Sequence, residues 1–154
     1  MPPSPIVGRL FLAVPLSADV RERLWDHIRD ALHGRPLPGR VVRPESWHLT
    51  LRFLGDTPRD ACDIFLRELR AADLGRSFTL AFTSLGAFPR PERARVLWIG
   101  TGEGAAALVA LAAHAERAAV AAGFAPETRP FAAHLTLSRL RPEADVRPVL
   151  SAVP

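Results

Sequence analysis

Apolar and polar positions along this 154-residue chain switch between a period of two and a period near four, and the switches mark its elements. Arg9-Leu-Phe-Leu-Ala-Val14 is a short apolar run closed by Pro15, the pattern of a buried strand. Ser17 can cap a helix in which Val20, Leu24, Ile28 and Leu32 recur every four residues on one face, with Trp25 beside them. Gly34, Pro36, Pro38 and Gly39 break the chain before Val41-Val42 and a strand from Trp47 to Leu54. Thr57-Pro58 predicts a cap and first turn for a second helix, with Ile64, Phe65, Leu66 and Leu69 as its apolar side. From Ser77 to Leu85, Phe78, Leu80 and Phe82 alternate with small polar or Ala positions, which predicts a half-buried strand. A Pro- and Arg-rich loop, 88–95, leads into the strand Val96-Leu-Trp-Ile99. An Ala-rich helix from Gly104 to Ala122 then carries Leu108, Leu111 and Val120 among its apolar positions and can end at Gly123. A loop to Pro130 and a strand from Phe131 to Leu140 complete the pattern.

The order strand, helix, loop, strand therefore occurs twice, starting at Arg9 and at Val96, and the closing strand of each copy contains His-Leu-Thr-Leu. The halves share little else. A duplicated unit packed about a pseudo-twofold axis would bring the two closing strands together near that axis. Residues two apart on a strand share a face, so His48 and Thr50 point one way while Leu49 and Leu51 pack beneath, and His134 and Thr136 do the same above Leu135 and Leu137.

Composition narrows the setting. A chain of this length fits one domain that buries about two-thirds of its unfolded surface. Hydrophobic residues make up 48%, yet no apolar run approaches the roughly 20 residues that span a bilayer. The apolar N-terminal stretch is interrupted by Pro15 and has no basic start, so it reads as the first strand and not as a signal peptide. The single cysteine, Cys62, excludes an internal disulfide framework and suits a reducing cytoplasm; its helical pattern makes it a small core residue. All twenty basic residues are Arg, and Lys, Asn, Gln and Tyr are absent, as GC-rich coding would produce. The net charge of +4 permits a nucleic-acid ligand without demanding one.

Two imidazoles across a cleft suit displacement at phosphorus, which needs a base on the attacking oxygen and an acid on the departing one. Histidine titrates near neutrality, so one ring can be neutral while its partner is charged. Threonine hydroxyls can donate to the non-bridging oxygens. A zinc site is the competing reading, but neither copy has a second His or Cys at ligand spacing, so acid–base catalysis without a metal or other cofactor is expected. His27, His33 and His114 fall on helices or their ends and suggest no chemistry.

The pair His48-Leu-Thr-Leu51 and His134-Leu-Thr-Leu137 resembles the two H-x-T-x signatures of the 2H phosphoesterase superfamily, and specifically its RNA 2′,3′-cyclic phosphodiesterases, also known as 2′-5′ RNA ligases. Arg9-Leu-Phe-Leu-Ala, His48 to Gly55, Leu85-Gly-Ala-Phe-Pro89, Arg95-Val-Leu-Trp98 and Pro130 to Arg139 carry the likeness across nearly all of residues 9–140. The resemblance implies an α+β, bilobal fold: two pseudo-symmetric antiparallel sheets line a central cleft, with helices outside. The whole chain, 1–154, would be one such domain. It implies hydrolysis of RNA 2′,3′-cyclic phosphate ends to 2′-phosphates in the cytoplasm by a monomer that touches no membrane. His48 would be the proton donor and His134 the acceptor; the copies are symmetric in sequence, so these roles rest on the resemblance. Thr50 and Thr136 would hold the phosphate. Arg139, five residues after His134, matches a phosphate-site arginine, but plain alternation turns it away from His134 unless the strand bends by Ser138. Phe53, five after His48, is a candidate to stack on a base, with core packing as its alternative, and Arg90, Arg93 and Arg95 are candidates for RNA phosphates against a solvated-loop alternative. Reverse ligation to 2′-5′ linkages, hydrolysis of small cyclic nucleotides, and a non-catalytic RNA- or nucleotide-binding module remain the alternatives. Family members continue with further strand structure, whereas only 141–154 follow here, so the domain reads as short at its C-terminus with an exposed sheet edge.

Overall fold

A computed structural model describes residues 1–153 and is α+β, as the sequence leads one to expect. Its strands are β1 (Ile6–Pro15), β2 (Arg40–Val41), β3 (His48–Pro58), β4 (Phe82–Phe88), β5 (Ala94–Thr101) and β6 (His134–Ala144). The helices are α1 (Ala18–Ala31), α2 (Arg59–Ala71), α3 (Ala105–Ala121) and α4 (Arg147–Ala152). The strands have one hydrogen-bonded order, β1-β3-β6-β5-β4, with β2 alongside β6, where two sheets were expected. The registers of β2, β3 and β5 on β6 and of β4 on β5 are all antiparallel.

Packing divides the chain into two compact units that draw on both halves of the sequence. The first comprises residues 1–13, 50–79 and 104–133, and so holds most of β1 and β3 with α2 and α3. Its core gathers Phe65 of α2 and Ala118 and Ala119 of α3, with Leu12, Leu54 and Leu69 against them. Small residues on α3 let that helix lie close: Ala112, Ala115, Ala118 and Ala119 are all buried, whereas Val120 faces out at 44% exposure. Cys62 is half-buried on α2.

Among the described residues the second unit comprises 14–49, 80–103 and 134–153, which brings together α1, β2, the start of β3, β4, β5, β6 and α4. Ile28 and Leu32 bury the predicted face of α1, and the Ser17 hydroxyl accepts from Val20 N–H at 3.3 Å as a cap. Leu97 and Ile99 of β5 and Leu135, Leu137 and Leu140 of β6 form its apolar floor. α4 was not anticipated in the polar, proline-bearing tail; Val146, fully buried at its start, anchors it through Val146 N–H to Pro91 O at 2.9 Å.

Two local expectations are corrected. Thr57 does not cap α2; its hydroxyl donates to Gly55 O at 2.8 Å, and Pro58 holds the cap position without a side-chain bond. The strand expected over 77–85 runs instead from Phe82 to Phe88, because its partner β5 ends at Thr101, opposite Phe82, leaving nothing for residues 77–80 to pair with.

Candidate active site

Both motif histidines sit at the first residue of a strand, and both strand starts lie in the second unit. β3 meets β6 at Leu49↔Leu135, and these leucines are 1% and 0% exposed, so the pairing is made on the buried face. Their neighbours alternate to the other face. Antiparallel geometry then sets His48 across from Thr136 and diagonal to His134, a relation that spaces residues by about 7–8 Å and their Cβ atoms by somewhat less. Thr50 follows His48 by two residues on β3 and is half-buried like it, though it falls in the first unit.

The imidazole of His48 is oriented from behind. The short 3-10 turn Pro44–Ser46 precedes it, and Nδ1–H donates to the Ser46 carbonyl at 2.8 Å. A carbonyl can only accept, so Nδ1 is the nitrogen that carries the proton in this bond. Trp47 fixes the turn: it is 3% exposed, its indole N–H donates to Val42 O at 3.1 Å, and it meets Trp25 edge-on at 6.0 Å.

His134 rests on an aromatic bed. Its ring stands edge-on to Phe88 at 5.0 Å between centroids and 6.3 Å from Trp98, and Phe88 and Trp98 are 5.1 Å apart. Register explains the bed. Gly86 pairs with Trp98 and Gly100 pairs with His134, and cross-strand partners share a face. A Cβ at Gly86 would collide with the Trp98 ring, and one at Gly100 would come within 3.1 Å of it. The indole therefore lies across two positions that carry no side chain, and holds the imidazole from one side.

Arg139 shares the face of His134 and Thr136, contrary to plain alternation. On β5, Val96, Trp98 and Gly100 alternate regularly, and they pair with Arg139, Thr136 and His134. Between Trp98↔Thr136 and Leu97↔Ser138 the register slips by one, so β6 has one residue more than β5 there. Such a bulge inverts the alternation beyond it. Burial records the slip: Leu135, Leu137, Ser138 and Leu140 are buried, while Arg139 is exposed. The same phase occurs on β3, where Arg52, four after His48, is 7% exposed and Phe53, five after, is 59% exposed.

Phe53 is thus not a core residue. It packs against Phe11 at 5.7 Å within the first unit, and both rings are exposed. One residue on this face was missed by sequence reasoning. Arg40 of β2 pairs directly with Arg139, which brings a second guanidinium to the side of Arg139. Like charges directly opposite weaken a strand pair, and no pattern in the loop sequence announces this one. His27 lies on α1 and His33 just beyond it, and on α3 the Nδ1 of His114 accepts from Arg117 at 2.9 Å. Among the described residues no three His, Cys, Asp or Glu side chains gather as a metal-ligand set, and no helix is long and apolar enough to cross a membrane.

The model of the LigT-like phosphoesterase family matches residues 14–98 and 99–154. The RNA 2′,3′-cyclic phosphodiesterase of Aeropyrum pernix is 36% identical over 114 residues, which are 74% of this chain and 64% of that protein. The protein of the same name from Geobacillus stearothermophilus is 37% identical over 132 residues, 84% of this chain and 41% of its own length. The chain thus spans less than two-thirds of either relative. Among solved structures, E. coli LigT complexed with 3′-AMP matches with a TM-score of 0.70 at 31% identity, over 86% of this chain and 72% of that one. With a family match across both motif strands and a fold to accompany it, the chain belongs to the LigT-like phosphoesterases.

Proposed function

We propose that this protein hydrolyses RNA 2′,3′-cyclic phosphate ends to 2′-phosphates by paired-histidine acid–base catalysis. The observation that supports it most directly is the Leu49↔Leu135 pairing, which turns the two imidazoles to one face at diagonal positions. In this reading water attacks phosphorus in line with the departing 3′ oxygen. His134 removes the proton from water as the new P–O bond forms, and His48 delivers a proton to the 3′ oxygen as its bond to phosphorus breaks. The product carries a 2′-phosphate and a free 3′-hydroxyl. Thr136, with Thr50 from the other motif, donates to the non-bridging oxygens, and Arg139 offsets their charge. Phe53 is a stacking surface for the base. The family relatives that bear the phosphodiesterase name support the substrate class. A single half-buried cysteine suits work in a reducing cytoplasm.

The test is turnover of an oligonucleotide ending in a 2′,3′-cyclic phosphate, with end analysis of the product. His48→Ala and His134→Ala should each lower kcat by about 10²–10⁴, and the wild-type rate should trace a bell against pH. Unchanged turnover in either variant, or a 3′-phosphate product, refutes the assignment.

A further inference from the structure

Beside the His134 bed lies a groove of about 330 Å³ lined by Pro89, Arg90, Arg93, Arg95 and Glu143, all in the second unit. It begins one residue after Phe88, whose ring packs on His134. Three guanidinium groups face a single carboxylate there. Glu143 engages Arg93 at 3.5 Å and Arg95 at 3.6 Å, with 64% and 69% of those two side chains exposed. Pairs that long and that exposed contribute little, so the arginines are available to a stronger anion. The backbone beneath them is fixed, because Pro91–Arg93 forms a 3-10 turn and Pro91 O accepts from Val146 N–H.

We propose that this groove binds the backbone phosphodiester immediately 5′ of the terminal nucleotide, which makes an oligonucleotide a better substrate than a cyclic mononucleotide. The proposal rests on the function proposed above. A phosphodiester fits the groove because its charge is compact and its oxygens accept from guanidinium donors, as the paired Glu143 already does. The position fits because the groove opens at Pro89, next in sequence to Phe88, whose ring packs on His134. One further arginine-bound phosphate releases its counterions, so binding of an oligonucleotide acquires a steeper salt dependence than binding of a mononucleotide.

The experiment compares adenosine 2′,3′-cyclic phosphate with a short oligoadenylate ending in the same group, for the full chain and two variants. The combined substitution Arg90→Ala, Arg93→Ala and Arg95→Ala should lower kcat/KM for the oligonucleotide about tenfold and leave the mononucleotide within about twofold. The slope of log kcat/KM against log salt for the oligonucleotide should shrink by about 0.7 for each phosphate that the variant no longer neutralises. Glu143→Gln should act in the opposite direction, raising kcat/KM for the oligonucleotide a few-fold by freeing Arg93 and Arg95; a folding defect cannot produce that gain. Equal losses on both substrates, or no change on either, overturn the groove. Should the wild type turn over neither substrate, the proposed function fails. The groove is then read separately, by fluorescence anisotropy of a labelled oligonucleotide ending in a 2′-phosphate. Weaker binding by the triple variant than by wild type supports it, and equal binding, or equal displacement by polyglutamate, overturns it.

Discussion

Arg52→Ala should destabilise this protein by about 3 kcal/mol, an unusual cost for an arginine on a strand. Arg52 is 7% exposed, and its guanidinium is used on every edge. Nε donates to Glu116 Oε2 at 2.7 Å, Nη1 to Phe53 O at 2.6 Å and to Glu127 Oε1 at 3.2 Å, and Nη2 to Ala125 O at 2.7 Å. It thereby ties β3 to α3 and to the loop after it, all within the first unit. Removing one member of a buried charge pair costs about 3–5 kcal/mol. The lower end applies because the Glu116 side chain is 31% exposed and keeps the backbone N–H of Glu127 at 3.0 Å. For a domain of this size about 3 kcal/mol lowers Tm by roughly 6–12 °C. Arg52→Lys should recover only part of the loss, since one ammonium cannot span the fork. The matched control is Arg93→Ala, which removes a 3.5 Å pair with 64% of the arginine side chain exposed and should cost under about 0.5 kcal/mol. Urea and thermal unfolding measure both. An Arg52→Ala variant as stable as Arg93→Ala would refute the reasoning.

The same network carries a pH dependence. The Glu116 carboxyl is held below its ordinary value, first by the Glu127 backbone N–H and then by the hydrogen bond and charge of Arg52, with burial opposing them. A carboxylate favoured by the fold stabilises it fully above the ordinary carboxylate range, and the contribution is lost as pH falls through the lowered folded-state value. Glu116→Gln should therefore be less stable than wild type at neutral pH, and the gap should close on acidification. A gap that stays constant from neutral pH down through the carboxylate range would mean that ionisation of Glu116 does not contribute. Two further substitutions act on the motif strand and its neighbours. Gly86→Ala drives a methyl into the Trp98 ring and should cost about 1–3 kcal/mol by overpacking, with kcat reduced because His134 loses its bed; unfolding and turnover both read it, and wild-type values would mean the indole does not lie there. Ser138→Ala should be neutral or stabilising by up to about 1 kcal/mol, since the hydroxyl at the bulge is fully buried and has no partner among the described residues; a clear loss of stability would show that it does hydrogen-bond.

The parts of this molecule that were legible from sequence are those where a side chain's period matches its burial. The four-residue recurrence of Val20, Leu24, Ile28 and Leu32 gives α1 with its cap, because a single apolar stripe suffices to dock it. The His-x-Thr faces were legible because the leucines that follow each histidine have only one buried side to take. Residues 77–80 failed for the converse reason. Their alternation is that of a strand, but a strand exists only where a neighbour supplies hydrogen bonds, and β5 has ended by Thr101. Arg40 was hidden because its position depends on a two-residue pairing with β6 that no local pattern encodes. Arg52 was hidden because a charged residue in a strand is ordinarily read as solvated, whereas here Glu116 and Glu127 come to it from 64 and 75 residues away.

The position five beyond each histidine shows why alternation alone misplaces a site. Strict period two sends Phe53 and Arg139 to the side of the leucines, yet both are exposed while the residue before each is buried. On β6 the cause is visible in the register, where Leu137 and Ser138 together occupy the place opposite Leu97. That extra residue costs a ladder bond but turns Arg139 to the face of Thr136 and His134, three different side chains on one short stretch. A strand without the bulge would have to bury the guanidinium on the face of Leu135 and Leu137, where an unpaired charge is far more costly than a lost ladder bond. The apolar floor and the basic residue above it thus require the slip between them, and the sequence Leu137-Ser-Arg-Leu140, two leucines three apart around a polar pair, is the local trace of that requirement.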